Sequence, residues 1–352
     1  NEAVSRIIND VKSNGDKGLR KYASLFDGVV LEELQVSESE IATANDLVSE
    51  ELKNAIEVAY NNIATFHTSQ KTQEEIVETT KGVTCWRKSV PIEKVGLYIP
   101  GGSAPLFSTI LMLGVPAKIA GCEEIVLCTP PDKSGAINPA ILYTASLVGI
   151  SKIYKAGGAQ AIAAMAYGTE SIPQTYKIFG PGNQYVTKAK ELVQQGGVAI
   201  DMPAGPSEVL VIADDTCKPD FVAADLLSQA EHGADSQVIL LSNSVAAIQE
   251  CVSQVEAQVE DLPRKETAKK ALANSRAIVC ANINECFEIS NFYAPEHLIL
   301  ASTRARDFIA KVTNAGSVFI GNYSCESAGD YASGTNHTLP TNGFAKNYSG
   351  VS

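Results

Sequence analysis

The amino-acid sequence predicts an α/β protein that folds as two domains, each built on a parallel sheet. Its 352 residues exceed the length at which one hydrophobic core keeps growing, which favours two domains. From Val95 onward, short runs rich in β-branched residues alternate with stretches rich in Ala and Leu, and the alternation stops near Pro206 and then starts again. Strands that alternate with helices form parallel sheets, because each helix supplies the crossover connection.

The first 70 residues predict a helical segment. Apolar residues from Ile41 to Phe66 keep a roughly helical spacing among Glu, Asn and Lys. Ser37 is followed by Glu40 three residues later, which is typical of a capping box at the start of a helix. We therefore expect helices before the first sheet.

Two series of strands and helices follow this segment. In the first series we expect strands at 95–98, 124–128, 152–155 and 177–179, and helices at 104–120, 136–148, 159–167 and 183–194. In the second series we expect strands at 208–213, 237–242, 277–281, 297–301 and 317–320, and helices at 220–232, 244–260 and 303–313.

These series predict two Rossmann-like α/β domains. We expect one of them to be discontinuous, with residues 1–98 and 208–345, and to include the N-terminal helices. The other comprises residues 99–207 and carries most of the glycine-rich loops. The polar residues 346–352 are expected to begin a C-terminal tail whose remainder is missing from this sequence.

Composition and charge exclude several classes of function. With 28 basic and 40 acidic residues, the net charge is −12, so nucleic acid and anionic membranes are not expected partners. No apolar run reaches the roughly 18 to 20 residues that cross a bilayer, and no signal peptide is recognisable. No two of the eight cysteines are spaced as CxxC, so a zinc-thiolate site is not indicated. We expect a cytoplasmic protein.

Four glycine-rich loops follow predicted strands or precede the second series. They lie at 98–103, 156–160, 180–183 and 202–207. Glycine lets a backbone approach a ligand closely, and the helix N-terminus that follows favours an anionic group such as pyrophosphate. Glycine is also the ordinary residue of tight turns, so each loop has a purely structural interpretation. The GxGxxG and GxxxxGK[ST] phosphate-binding patterns are absent, which disfavours a standard dinucleotide fold and a kinase.

The segment around His232 offers a possible metal site. Gln229 and His232 are three residues apart near the end of a predicted helix, so their side chains share one face. Imidazole is a common zinc ligand, and a glutamine oxygen is an uncommon one. The alternative is therefore that the pair has no metal and that His232 interacts favourably with the helix dipole at the end of the helix.

Four further polar residues are candidates for a role in the site. Glu296 and His297 immediately precede an apolar strand, and an adjacent acid and imidazole can perform separate proton transfers; the alternative is a solvated turn. Residues 321–337 are polar and contain no expected helix or strand, and in this segment Asp330 is a candidate metal ligand. His337 would contact substrate or brace the loop.

Seven sequence runs together resemble the histidinol dehydrogenase family, in order and spacing, across nearly the whole chain. They are VGLYIPGGSAPLFST, GGAQAIAA, KIFGPGN, AIDMPAGPSEVLV, DLLSQAEHG, APEHL and GSVFIGNYSCESAGDYASGTNH. The succession of SQAEHG, PEHL and GDYASGTNH is far more specific than any single motif.

The resemblance implies an enzyme that uses NAD and Zn²⁺ to oxidise L-histidinol through an aldehyde to L-histidine. It implies that the zinc ligands are Gln229, His232 and Asp330, that Glu296 and His297 are the acid/base pair, that NAD contacts Tyr98, Gln160 and Asn183, and that the substrate is bound by Ser207, His297 and the three zinc ligands. Each matching residue type is present. No cysteine nucleophile is implied.

The same resemblance implies a homodimer with shared active sites. In the family, a further histidine ligand and a substrate-binding glutamate come from the C-terminal tail of the neighbouring subunit, and neither lies in these 352 residues.

Two other functions compete with this interpretation. A zinc-dependent hydrolase or lyase could use Gln229, His232 and Asp330 around the metal with Glu296 as base. A noncatalytic binding protein could retain the fold, but the presence of both Glu296 and His297 disfavours it.

Overall fold

The protein is described by a computed structural model that covers residues 2–101 and 105–351. Residues 102 and 103 of the first glycine-rich loop, and residue 104, where a helix is expected to begin, lie outside the described residues. The chain forms two compact units, one that extends to Asp201 and one that spans Met202–Val351.

The first unit begins with helices and continues as strands that alternate with helices. Its helices are α1 (Glu2–Tyr22), a π-helix (Ala23–Asp27), α2 (Glu38–Leu47), α3 (Glu50–Ser69), α4 (Phe107–Ala120), α5 (Pro139–Val148), α6 (Gly158–Tyr167) and α7 (Gln184–Gln195). Its strands are β1 (Ile76–Thr80), β2 (Val83–Trp86), β3 (Lys94–Tyr98), β4 (Glu124–Thr129), β5 (Lys152–Lys155), β6 (Lys177–Phe179) and β7 (Ala199–Ile200).

The main sheet of this unit is parallel and has the order β5-β4-β3-β6-β7. The strand order reverses between β3 and β6, which is the switch point where the carboxyl ends of such a sheet open a crevice. Helix α6 is buried along most of its length, and α1 packs against α6 and α7. The antiparallel hairpin of β1 and β2 is exposed along both strands.

The second unit alternates strands and helices throughout. Its strands are β8 (Glu208–Ala213), β9 (Gln237–Ser242), β10 (Arg276–Val279), β11 (His297–Ala301) and β12 (Ser317–Ile320). Its helices are α8 (Pro219–Ala230), α9 (Val245–Gln258), α10 (Lys265–Ala273), α11 (Ile283–Tyr293) and α12 (Glu326–Tyr331), with 3₁₀ helices at Val259–Asp261, Ala305–Lys311 and Phe344–Lys346.

The sheet of the second unit is also parallel, with the order β10-β9-β8-β11-β12 and a switch point between β8 and β11. Alternate residues of β8 pack into different cores on the two faces of the sheet. Val209 and Val211 pack with α8 and α9 on one face, and Leu210 and Ile212 pack with α11 on the other. Burial on both faces explains why these strands are continuous apolar runs.

The fold class expected from the sequence is confirmed, and so are most strands and the Ser37–Glu40 capping box. The observed division of the chain differs from the expected domains, which joined 1–98 to 208–345. Strand β3 pairs with both β4 and β6, and α1 packs on α6, so the first 98 residues group with 99–201.

Several helices and strands differ from those expected from the sequence. Residues 321–337 contain α12, so the expectation of no helix there is wrong: a six-residue polar helix has no apolar periodicity and depends on packing against α8. The helix expected at 303–313 is a 3₁₀ helix at Ala305–Lys311. Helices α10 and α11, strand β7 and the hairpin were not predicted.

Candidate functional site

The predicted acid/base pair lies at the amino edge of the second sheet. His297 is the first residue of β11 and pairs in register with Val209 of the neighbouring strand β8. Glu296 directly precedes it, and Glu208 begins β8. All three side chains are buried, so neither Glu296 nor His297 belongs to a solvated turn.

The two nitrogens of His297 have different partners. Nδ1 lies 3.1 Å from the carbonyl oxygen of Glu208, to which it donates in the tautomer that leaves Nε2 for chemistry. Nε2 lies 3.2 Å from Asp330 Oδ1, although the two atoms are not aligned as a hydrogen bond. The backbone contact thus fixes the ring and directs Nε2 toward Asp330.

Glu296 is held on the other side of the ring. Its Oε2 accepts a hydrogen bond of 2.9 Å from the backbone N–H of Glu208 and lies 3.7 Å from His297 Nδ1. Burial raises the pKa of Glu296 to about 8. Burial opposes the charge on His297, but the carboxylates of Glu296 and Asp330 outweigh it and raise the pKa of His297 to about 10.

The predicted metal ligands converge on the same region. One terminal atom of the Gln229 amide lies 3.0 Å from Glu326 Oε1 and 3.2 Å from His232 Nδ1. With nitrogen at that position the amide donates to both atoms, whereas with oxygen there a proton on Glu326 or His232, or a cation, is needed between the facing acceptor atoms. Gln229 is buried and His232 is exposed.

A buried carboxylate beside these residues was missed by the sequence analysis. Glu326, the first residue of α12, offers an oxygen that lies within 4.8 Å of ligand atoms of His297 and Asp330. Burial and the charge of Asp330 raise the pKa of Glu326 to about 9, whereas the contact with His297 outweighs burial and lowers that of Asp330. The spacing of Glu326 and Asp330, four residues apart on a helix, was the signal that could have revealed it.

Two other buried acids surround this cluster. Asp225 Oδ1 accepts a 3.1 Å hydrogen bond from the backbone N–H of Glu326, and burial raises the pKa of Asp225 to about 6. Glu208 Oε1 accepts from the N–H of Asn342 at 2.9 Å, and burial raises its pKa. Neither acid was predicted as part of the site.

These residues fit a divalent cation. Oxygen and imidazole ligands suit zinc, and a concentration of buried carboxylates is stable only with protons or a cation to neutralise it. Within the described residues, the buried atoms without a hydrogen bond include Asp330 Oδ1, His297 Nε2, Glu208 Oε2 and His337 Nε2. Both an excess of negative charge and unsatisfied ligand atoms therefore lie in one place.

The substrate residue predicted at Ser207 lies at the same edge. It immediately precedes β8 and its carbonyl accepts from the N–H of Gln237. His337 is half-buried, and burial lowers its pKa, which favours the neutral ring.

The three residues predicted to contact NAD lie in the first unit, at the carboxyl edge of its sheet. Tyr98 ends β3, and its hydroxyl accepts a 3.0 Å hydrogen bond from the N–H of Gly158 at the start of α6. Gln160 is buried in α6. Asn183 caps α7: its Oδ1 accepts from the N–H groups of Tyr185 at 3.0 Å and Val186 at 3.1 Å.

The loop before Asn183 requires glycine. Gly180 has a φ of +134°, and a Cβ at this position would lie 2.2 Å from the carbonyl oxygen of Tyr98. This close approach connects the ends of β3 and β6 at the switch point, so the loop has a structural reason for its first glycine in addition to any ligand role.

No helix within residues 2–101 and 105–351 is long and apolar enough to cross a membrane.

Two doubly wound sheets, with glycine-rich turns in one unit and a buried acid–imidazole pair in the other, are typical of an oxidoreductase of the dehydrogenase class. An acetylating aldehyde dehydrogenase from Geobacillus thermoglucosidasius has a similar fold: it superposes with a TM-score of 0.51 at 13% identity, over 95% of this chain and 89% of that one.

The chain belongs to the histidinol dehydrogenase family, whose family model, described as histidinol dehydrogenase, matches residues 1–352. It is 62% identical to the histidinol dehydrogenase of Bacteroides thetaiotaomicron over 351 residues, which are 100% of this chain and 82% of that protein. It is 57% identical to that of Xanthomonas campestris pv. campestris, with the same coverage. The crystal structure of histidinol dehydrogenase from Elizabethkingia anophelis matches with a TM-score of 0.98 and 63% identity, over 100% of this chain and 81% of that one.

Proposed function

We propose that this chain oxidises L-histidinol by way of L-histidinaldehyde to L-histidine, the last step of histidine biosynthesis, with NAD as hydride acceptor and zinc to position the substrate. The observation that carries the proposal is the buried pair of Glu296 and His297 beside Gln229 and Asp330. Membership of the histidinol dehydrogenase family is compatible with both NAD and zinc. It favours this reaction over that of a zinc-dependent hydrolase or lyase.

Gln229, His232 and Asp330 would hold the zinc, and Ser207 and His297 would complete the substrate site. When bound, zinc supplies a template that fixes the substrate's nitrogens and so orients the reacting carbon. Tyr98, Gln160 and Asn183 would contact NAD. Family resemblance assigns these roles, and the positions described above for these residues are compatible with them.

His297 acts as the base of the first oxidation. Its Nε2 takes the hydroxyl proton as hydride leaves the carbinol carbon for NAD, which gives the aldehyde, NADH and one proton. The neighbouring carboxylates raise the pKa of His297. A cation beside Asp330 would oppose this effect, because like charges disfavour the imidazolium.

Glu296 acts in the second oxidation. A carboxyl group whose pKa burial raises to about 8 is suited to accept a proton from water near neutral pH. Addition of that water to the aldehyde gives the gem-diol, and a second hydride transfer to NAD releases the carboxylate. The separate hydrogen bonds of Glu296 and His297 permit this division of work.

The proposal predicts two NADH for each L-histidinol consumed. NADH absorbance and histidine production, measured together with zinc present, test it. Absence of NADH, with conversion of a different substrate, would favour the hydrolase. Glu296→Gln should slow oxidation of histidinaldehyde by about a hundredfold and oxidation of histidinol much less. Equal losses in the two half-reactions would contradict the assignment of Glu296 to water activation.

We also propose that the chain forms a homodimer with shared active sites in the cytoplasm, as its resemblance to the family implies. Sedimentation velocity measures the assembly directly. A monomer at the concentrations used for the assay would contradict the homodimer.

A further inference from the structure

A buried ion pair lies beneath the glycine-rich loop that precedes Asn183. Lys190 comes from the middle of α7, and Asp201 follows β7. Their charged groups are in contact, with only 2% and 1% of the two side chains exposed. Removing two charges from water is costly, so such a pair persists only where each charge is well paired and hydrogen-bonded.

Both members of the pair bind the backbone of the same residue. Lys190 Nζ donates a 2.9 Å hydrogen bond to the carbonyl oxygen of Gly180. Asp201 Oδ2 accepts a 2.8 Å hydrogen bond from the N–H of Gly180. The N–H and the carbonyl of Gly180 are therefore each hydrogen-bonded to a charged side chain. One side chain is negative and the other positive, and they come from two different parts of the chain.

Gly180 is the residue at which this restraint matters most. Its carbonyl and N–H are held from below by Lys190 and Asp201, and its Cα approaches the carbonyl of Tyr98 too closely for any side chain. Three residues later, Asn183 caps α7 and begins the helix that also contains Lys190. The loop is thus fixed at both ends of its four residues.

We propose that Lys190 and Asp201 are positioning residues for the nicotinamide cofactor: they act through Gly180 to hold the loop that carries Asn183. This inference rests on the proposed function, since it takes the loop as part of the NAD site. Neither residue needs to contact the cofactor. Backbone groups that approach a ligand closely must be held in place, because a displacement of about 1 Å can lower the rate of a reaction roughly a hundredfold.

The test measures NADH binding by calorimetry, without turnover, in the whole chain. Lys190→Met removes the bond to the Gly180 carbonyl and should weaken NADH binding at least about tenfold. It also leaves Asp201 without its partner charge and should lower the thermal midpoint. The double variant Lys190→Met/Asp201→Asn removes both charges while Asn can still accept from Gly180, so stability should recover.

The double variant separates positioning from stability. We expect its thermal midpoint to approach that of the unaltered chain while its NADH affinity stays low, because the bond from Lys190 to Gly180 is still missing. Lys188→Met is the matched control: Lys188 lies on the same helix and pairs with Glu191 at the surface, so its loss should change neither quantity.

The outcomes distinguish this inference from the proposed function. If the double variant recovers affinity together with stability, or if Lys190→Met binds NADH normally, the pair is merely structural and the inference is overturned. If the unaltered chain does not bind NADH, the NAD assignment of the proposed function fails and the inference fails with it. Zinc content per chain, expected to be equal in all variants, shows that the second unit is intact.

Discussion

The two units share a topology but use opposite edges of their sheets. In each, five parallel strands wind outward from a central pair, with the switch point between β3 and β6 in one unit and between β8 and β11 in the other. In the first unit the candidate residues follow the carboxyl ends of strands, as expected for such sheets. In the second unit Glu208 and His297 are the first residues of their strands, so the candidate acid/base residues lie at the amino edge.

The two edges also differ in the charge that they favour. At the first, glycine-rich turns lead into α6 and α7, whose N-termini favour an anionic group. At the second, the buried carboxyl groups of Glu208, Asp225, Glu296, Glu326 and Asp330 favour a cation. We infer that topology alone does not determine which edge of a sheet is suited to a ligand, and that the charges placed at each edge contribute.

Among the variants of this section, His297→Asn should have the largest effect, and the effect should be limited to the function of the second unit. The amide keeps similar size but cannot accept the hydroxyl proton, so histidinol oxidation should fall about a thousandfold. Zinc content and NADH affinity should stay within about twofold. A loss of NADH binding along with activity would contradict the separation of roles between the two units.

Gly180→Ala tests the first unit. The new Cβ would clash with the carbonyl of Tyr98, and because a backbone oxygen cannot move aside cheaply we expect a loss of about 3 kcal/mol in the free energy of unfolding, together with weaker NADH binding. Gly197→Ala is the control: it shares a positive φ, +97°, but meets open space, so it should cost only about 1 kcal/mol. Equal losses in urea denaturation would show that backbone strain, and not the close approach to Tyr98, determines the need for glycine.

The excess of buried acid in the second unit predicts how stability depends on pH. The pKa values of Glu296 and Glu326, about 8 and 9, exceed the ordinary value of about 4.3, and that of His297, about 10, exceeds about 6.5. The folded state therefore binds more protons than the unfolded state, and stability falls as pH rises through this range. The lowered pKa of Asp330 has the opposite sign, but its window lies below about pH 4.

In a chelator, the thermal midpoint should therefore drop by a few °C between about pH 6 and pH 9. With zinc the drop should disappear, because the cation stabilises the deprotonated ligands. A midpoint that is constant or rises with pH in the chelator would show that these carboxyl groups do not hold extra protons, and that the second edge does not select a cation in this way.

Sequence patterns predicted every strand of the two parallel sheets except the two-residue strand β7, because buried parallel strands are continuous apolar runs between turns. Family resemblance selected Gln229, His232, Glu296, His297 and Asp330 before any contact was known. The sequence did not reveal Glu326, Asp225 and Glu208 as parts of the site, because the tertiary fold, and not the local sequence, brings these acids together and buries them. Helix α12 was missed for the same reason, since tertiary packing and not periodicity stabilises it.

The last prediction concerns the carboxyl edge of the second unit, where the first unit would suggest a ligand. There the polar groups bind one another: Ser302 Oγ donates to Asp214 Oδ2 at 2.6 Å, Thr216 Oγ1 donates to Asp214 Oδ1 at 2.6 Å, and Arg304 pairs with Asp214 at 3.0 Å. These contacts outweigh burial and lower the pKa of Asp214, so its charge is already neutralised within the turn. Ser302→Ala should cost about 1 kcal/mol of unfolding free energy, because one hydrogen bond is lost and others remain. The kcat and the KM values for histidinol and NAD should not change. If either KM rises severalfold while stability is retained, this edge also takes part in ligand binding, and the contrast between the two units would have to be abandoned.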